Sequence, residues 1–332
     1  VREVGYTNFY LAYHGRENKR LHERWSALLV RLAPDLRWTS ERLARRRQPR
    51  RLRIGFISAH FFQHSIGKTS IGLIEGMDRQ RFEPIVLFVQ RAAGDPIAER
   101  IARAAERWLD IPTKLAMARE LIAGLEFDIL FYPDLGMDCF TWYLAHARLA
   151  PVQCTSFGHP DTTGIDSIDH FISSRLAEPA DAHDQYSERL IALPETAIPA
   201  YYYPPPVAEA RSARARLGLP EGRNLYLCAQ APFKLHPDMD PLFEGILEAD
   251  PAALILLLEA PRARAGWTQR LQARLRARLS RKMNGIRFLP RLPYRDYLAL
   301  LGAADVALDT IHFNGMNTSL ECFRAGTPVV CL

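Results

Sequence analysis

Short apolar runs alternate with stretches whose apolar positions recur at helical spacing, and this texture begins abruptly near residue 52. The runs "LRIGFISAHF" (52–61), "FEPIVLFV" (82–89), "FDILFYPDL" (127–135), "VQCTSFG" (152–158) and "IDHFISS" (168–174) predict strands. Residues 70–77, 95–108, 114–125 and 142–150 predict the helices between them. Ahead of this region, 1–48 reads as helical, with 22–36 amphipathic and stopped near Pro34. A proline-rich stretch at 193–210 has no helical period and marks a boundary. The alternation then resumes, with strands at 225–231, 253–260, 286–290 and 306–310 and helices at 238–249, within 262–285, at 294–303 and after Gly315. Strands alternating with helices mean parallel sheets covered on both faces, an α/β fold. The predicted organisation is a helical linker segment (1–50), a first Rossmann-like domain (51–205) and a second (206–332), with ligands bound in a cleft at the carboxyl ends of the two sheets.

Composition narrows the class. Of 332 residues, 48% are apolar and 24% charged, as in globular proteins. No run approaches the roughly 18 uncharged apolar residues of a membrane helix, so no membrane partner is expected. The N-terminus has neither an apolar signal core nor an initiator Met, so residues upstream are expected. Five cysteines (139, 154, 228, 322, 331) show no ligand spacing and read as buried, reduced thiols of a cytoplasmic protein. The net charge of +6 gathers in 41–53 and 262–285. Nucleic-acid binding is not expected from it, because aromatics are not interleaved. A solvated linker and the outer face of a helix, with Leu271, Leu275 and Leu279 beneath, account for it.

Two segments of the second domain suit phosphate. In "NGMNTSLE" (314–321) a loop enters a helix, which aims backbone N–H groups and the helix dipole at any anion placed there. Gly315 suits a tight turn, Asn314, Asn317, Thr318 and Ser319 offer donors or caps, and Glu321 can accept from two vicinal hydroxyls. The same letters also make an ordinary helix N-terminus. Lys234, at the end of the domain's first strand, can neutralise a diphosphate leaving group, or simply be solvated. In the first domain, "SAHFFQHSIGKTS" (58–70) holds His60, His64 and Lys68, and "SFGHPDTTG" (156–164) holds His159 between Gly158 and Gly164. Such histidines serve as bases or anion ligands when they face a cleft and as packing groups when they do not. His60 and His64 have metal spacing, yet no carboxylate or thiol completes a set, so no metal is expected.

Taken in order, "LRIGFISAHFFQHSIGK", "LAPVQCTSFGHPDTTGIDSIDHFISS", "DQYSERLIALPET", "AQAPFKLHPDMD" and "ADVALDTIHFNGMNTSLECFRAGTPVV" resemble the catalytic region of the O-linked N-acetylglucosamine transferases, above all the bacterial and SPINDLY-type members. The resemblance runs from about residue 52 to the end. It implies the GT-B fold of two Rossmann-like domains, and inverting, metal-free transfer of a sugar, most simply GlcNAc, from a UDP-sugar to Ser or Thr of an acceptor protein or peptide. A related branch glucosylates Asn. On these motifs Lys234 matches the lysine on the UDP diphosphate. Asn317 and Thr318 match the phosphate-holding pair, and Glu321 the acid on the ribose. Leu292 falls where a backbone group meets uracil, Tyr294 and Tyr297 at nucleoside-contacting positions, His64 at a proposed base, and His159 in the loop that floors the sugar pocket. Ser65 and Lys68 stand where the family commonly has Pro and a second His, and Ala231 where animal enzymes have Gln.

The expected chemistry is an in-line displacement in which Lys234 and the helix N-terminus stabilise the departing UDP. The acceptor proton goes to His64, to water or to a donor phosphate oxygen. Lys68 also leaves open a UDP-binding module with weak or no transfer, and an epimerase would share the nucleotide loop. The resemblance further implies tetratricopeptide repeats upstream and additional strand and helix beyond residue 332, so the chain reads as a truncated or partial catalytic region.

Overall fold

The computed structural model describes residues 7–44, 51–195, 197–198, 200–207 and 210–331. Residues 46–50 of the basic linker and 1–6 of the N-terminus lie outside these. Two compact units are present, Val1–Ala12 with Arg16–Tyr202 and Tyr13–Gly15 with Tyr203–Leu332, so the division falls inside the proline-rich stretch.

The first unit holds β1 (Leu52–Ser58), β2 (Phe82–Phe88), β3 (Arg107–Asp110), β4 (Ile129–Tyr132), β5 (Val152–Ser156), β6 (His170–Ser174) and β7 (Arg189–Leu193). They form one parallel sheet in the order β3-β2-β1-β4-β5-β6-β7. Its helices are α1 (Lys19–Leu32), α2 (Ser65–Glu75), α3 (Pro96–Ala104), α4 (Leu115–Gly124) and α5 (Cys139–Ala145). One face of the sheet packs on Ile66, Ile71 and Ile74 of α2 with Ala98 and Ile101 of α3. The other packs on Ala118 and Ile122 of α4, on α5, and on Leu29 of the N-terminal helix α1. Burial on both faces is why β1 and β2 read as continuous apolar runs.

The second unit repeats the plan with β8 (Asn224–Cys228), β9 (Ala253–Leu258), β10 (Ile286–Leu289), β11 (Val306–Leu308) and β12 (Val329–Val330), parallel in the order β10-β9-β8-β11-β12. Its helices are α6 (Ala210–Arg216), α7 (Asp240–Ala249), α8 (Ala265–Leu279), α9 (Tyr294–Ala303) and α10 (Asn317–Ala325). Phe243 of α7 and Leu271, Leu275 and Leu279 of α8 fill the core on one face. Full burial of each such leucine contributes about 1.5–3 kcal/mol. Leu298, Leu300 and Leu301 of α9 and Cys322 of α10 fill the other. The charges of the arginine-rich helix meet acids on α7: Arg274 pairs with Asp240 at 2.9 Å, Arg278 with Glu244 at 3.0 Å, and Lys282 with both Glu244 and Glu248.

Several sequence expectations shift. The helix placed at 95–108 ends at Ala104, and Arg107–Asp110 pairs with β2 as an edge strand. β7, at the other edge, had no predicted counterpart. β3 has only four residues, mostly exposed, and β7 only five, with Arg189 and Ile191 exposed, so neither carries the long buried run that announces a central strand. The thiols are free, but only Cys154, Cys228 and Cys322 are buried: Cys139 is half-buried and Cys331 exposed.

Candidate active site

In each sheet the chain builds outward from one strand and then returns to that strand's other side. The return falls between β1 and β4 in the first sheet and between β8 and β11 in the second. Loops leaving the carboxyl ends of such a pair diverge and leave a crevice, the usual ligand position in an open α/β sheet. The candidate residues gather at these two points.

In the second unit, the loop after β8 carries Gln230 and Lys234. The Lys234 ammonium donates to Gln230 Oε1 at 3.0 Å and lies 4.7 Å from the centroid of the Phe313 ring. Phe313 stacks on buried Tyr13 at 4.2 Å, and Tyr13 meets Phe233 edge-on at 4.9 Å. Among the described residues no carboxylate oxygen lies within 4.0 Å of Nζ. Burial among these rings lowers the Lys234 pKa to about 8, the opposing charge of Asp309 notwithstanding. The aromatic wall was not legible in the local sequence, because Tyr13 comes from the far end of the chain.

The loop after β11 is organised by Asp309, which sequence reasoning passed over. Its carboxylate accepts the Gly315 N–H at 2.8 and 3.0 Å and the Thr310 N–H at 2.8 Å. The Gly315 N–H is therefore taken by an internal anion. Nor does Gly315 make a left-handed turn. Its value is room, since a Cβ there would stand 2.4 Å from the Gln230 side-chain nitrogen. Asn314 folds back to donate to the Thr310 carbonyl at 3.2 Å, and Ser319 Oγ to the Gly315 carbonyl at 3.0 Å. These two side chains hold the loop. The N–H groups ahead of the first intrahelical bond, Leu320 N–H to Met316 O, form the open end of α10, where Asn317 and Thr318 sit.

Glu321, one turn into α10, is only 4% exposed. Its Oε1 accepts from the Tyr294 hydroxyl at 2.9 Å. Burial pushes the Tyr297 phenol far above its ordinary pKa, and the Glu321 charge adds to this. Tyr294 and Tyr297 run nearly parallel, 6.3 Å apart, and pack with half-buried Leu292 against the core. The structure thus joins Leu292, Tyr294, Tyr297 and Glu321 in one neighbourhood, with the Tyr294 hydroxyl committed to the acid.

In the first unit, the loops after β1 and β4 bring His60 to Asp134. His60 Nδ1 lies 2.7 Å from Asp134 Oδ2, which also accepts from Ser58 Oγ at 2.7 Å. Burial lowers the His60 pKa, but the hydrogen bond and charge of Asp134 outweigh it, and the net shift is upward. The His64 ring lies 4.7 Å from that of His60. His64 is the N-cap of α2, its Nδ1 accepting the Ile66 N–H at 3.3 Å. Burial, then the charges of His60 and Lys68, lower its pKa to about 4, so it is neutral near pH 7. A neutral ring that accepts at Nδ1 carries its proton at Nε2 and presents a donor there. Lys68 Nζ sits 5.4 Å from the centroid of the Tyr202 ring. His159 is buried, with Nε2 3.2 Å from the Phe9 carbonyl, to which it donates. The imidazole is a packing group here, and the backbone of its loop is what remains to face a ligand. That loop is clamped by α1: His22 and Asn18 both reach Asp161 Oδ2, at 3.2 and 2.9 Å. Gly164, at φ +67°, lets the backbone of His22 pass where a Cβ would meet it at 2.4 Å.

Comparison with known proteins supplies what this geometry leaves open. The chain is 25% identical over 297 residues to the probable UDP-N-acetylglucosamine–peptide N-acetylglucosaminyltransferase SEC of Arabidopsis thaliana, covering 85% of this chain and 29% of that protein. It is 28% identical over 235 residues to the UDP-glucose:protein N-beta-glucosyltransferase of Actinobacillus pleuropneumoniae, covering 66% of this chain and 34% of that one. Among solved structures it superposes on an O-GlcNAc transferase of Thermobaculum terrenum with a TM-score of 0.78 and 29% identity, over 97% of this chain and 60% of that one. The α/β fold is therefore of the GT-B glycosyltransferase class. The chain spans about a third of the length of the curated relatives it matches. A sequence model of glycosyl transferase family 41 matches residues 27–200, more than half of the chain, from within α1 through β7. The chain belongs to glycosyl transferase family 41.

Proposed function

We propose that this chain carries the catalytic region of a UDP-sugar-dependent protein glycosyltransferase, moving GlcNAc to Ser or Thr hydroxyls. The observation that carries the reading is Lys234: an ammonium held among aromatic rings beside the open end of α10, with a neutral amide rather than a carboxylate as its partner. A half-buried cation of depressed pKa gains most from a ligand that brings negative charge, and a diphosphate does so. In the reaction, the bond from the sugar C1 to the β-phosphate oxygen breaks as the bond to the acceptor oxygen forms. The electron pair leaves on UDP, where Lys234 and the N–H groups of α10 stabilise it. The hydroxyl proton must also leave. His64 takes it at Nδ1 only by giving up the Ile66 cap, and at Nε2 only by changing tautomer, which favours water or a donor phosphate oxygen as the acceptor. Neither step calls for a metal.

An acceptor protein or peptide, tetratricopeptide repeats in a longer polypeptide and a cytoplasmic, reducing location complete the reading. Free thiols at all five cysteines fit that location, and no helix of the described residues is long and apolar enough to cross a membrane. Because the Actinobacillus relative is a glucosyltransferase, the test is UDP release from UDP-GlcNAc and from UDP-glucose, with mass analysis of an acceptor protein mixture. Transfer of GlcNAc to hydroxyls supports the proposal. Hexose on Asn replaces the sugar and acceptor, and a chain that binds UDP without any transfer reduces it to a binding module.

A further inference from the structure

The loops after β8 and β11 also bring together a second set of side chains, outside the nucleotide residues. His312 Nε2 lies 2.7 Å from Asp238 Oδ2, and His236 Nδ1 lies 3.2 Å from the same oxygen. One ligand atom from each of the three falls within 4.8 Å of the others. We propose that His236, Asp238 and His312 form a binding site for one divalent transition-metal ion of the zinc type.

The chemistry fits. Two imidazoles and one carboxylate are a common ligand set for such ions, leaving further positions to water. At metal–ligand distances near 2.0–2.1 Å, tetrahedral neighbours stand about 3.3 Å apart. His236 Nδ1 already lies close to that distance from the carboxylate oxygen and would give up the Asp238 N–H it accepts at 3.3 Å. His312 Nε2 moves outward from the oxygen by about half an ångström, and the ligand atoms, within 4.8 Å of one another, close on the ion. The scaffold also holds the ligands. His236 and Asp238 flank Pro237, whose ring fixes φ in a single 3-10 turn. His312 is seated against Gly15, where a Cβ would lie 2.3 Å from Nδ1, so Nε2 is the nitrogen turned toward the acid. The two rings stand perpendicular at 88°, their centroids 4.5 Å apart, and both histidines are about a quarter exposed, open enough for an ion to enter.

Sequence reading looked for metal spacing only at His60 and His64, because 74 residues separate Asp238 from His312. An ion here would staple the loop bearing Lys234 to the loop leading into α10. It would act as a structural clamp, and its binding is independent of the transferase reading.

The test is a titration of the untagged chain, stripped with chelator, with Co2+ alone, followed by visible absorption, and with Zn2+ by calorimetry. One equivalent should bind and give the intense bands of a low-coordinate cobalt site. His312→Ala and Asp238→Ala should each weaken binding by more than about tenfold, since losing even a group that only hydrogen-bonds a metal ligand costs that much. His60→Ala should leave it unchanged. Thermal melts of the metal-free variants report whether they fold. The proposal is overturned if the wild-type chain shows no saturable binding, or if binding survives both substitutions or is lost in His60→Ala.

Discussion

A diphosphate that settles against Lys234 must keep that lysine protonated, and this can be measured as a proton taken up on binding. The free chain holds the Lys234 pKa at about 8 by burial. At pH 8 roughly half of the molecules are therefore neutral at Nζ, and at pH 9 about nine in ten. If only the charged form binds well, UDP affinity falls about tenfold from pH 7 to pH 9, and binding at pH 8 takes up about half a proton. UDP itself contributes little there, its last phosphate pKa lying near 6. Calorimetry at pH 8 in buffers of different ionisation enthalpy gives the number directly. Lys234→Met should bind more weakly and take up no proton. An uptake near zero in the wild-type chain, or one that persists in Lys234→Met, refutes the placement of phosphate against this ammonium.

The same burial implies further outcomes. The folded Lys234 pKa lies below the unfolded value of 10.5, so the unfolded chain binds more protons between about pH 8 and 10.5 and this group's contribution to stability rises with pH in that window. Protonated Lys234 costs the fold on the order of 3 kcal/mol at pH 7. Lys234→Met, which loses little besides one hydrogen bond and one ring contact, should raise the urea midpoint at pH 7, and a lowered midpoint contradicts this. For His64, with a folded pKa of about 4 against 6.5 unfolded, the sign is the same. Stability conferred by the neutral ring is present above pH 6.5 and is lost progressively down to pH 4, by at most about 3 kcal/mol. An NMR titration of the His64 ring with a midpoint near 6.5 would remove the basis for this. Gly164→Ala should destabilise by about 3 kcal/mol or more, the sum of a left-handed φ and a collision with the α1 backbone. A loss under about 1 kcal/mol in urea unfolding would show that α1 does not press on this loop. Among the thiols, Cys331 should react first with a thiol reagent, and buried Cys154, Cys228 and Cys322 only on unfolding. Equal rates would contradict the packing.

Much of this architecture was legible because buried parallel strands must be apolar along their whole length, as in "ALILLL" of β9. The edge strands β3 and β7 were not, since they are only four and five residues long and partly exposed, too short to stand out as buried runs. Lys234, Glu321 and the start of α10 could be placed because they follow strands whose carboxyl ends lie at a predictable point of the sheet. What those residues touch could not be read. Asp309 claims the Gly315 N–H, Tyr294 claims Glu321, and Tyr13 walls the lysine pocket from 221 positions upstream. Partners that distant in sequence leave no local periodicity. The His–Asp–His cluster escaped for the same reason.

On the proposed function, the crevice between β8 and β11 cradles a nucleoside diphosphate. A calorimetric titration of the wild-type chain with UDP at pH 7, beside Glu321→Ala and Lys234→Met, tests it most directly. Saturable binding of one UDP, weakened at least about tenfold by either substitution, is the predicted result, as expected for the loss of a buried charge-assisted hydrogen bond. A folded wild-type chain that binds no UDP, or variants that bind as tightly as it does, would contradict the account.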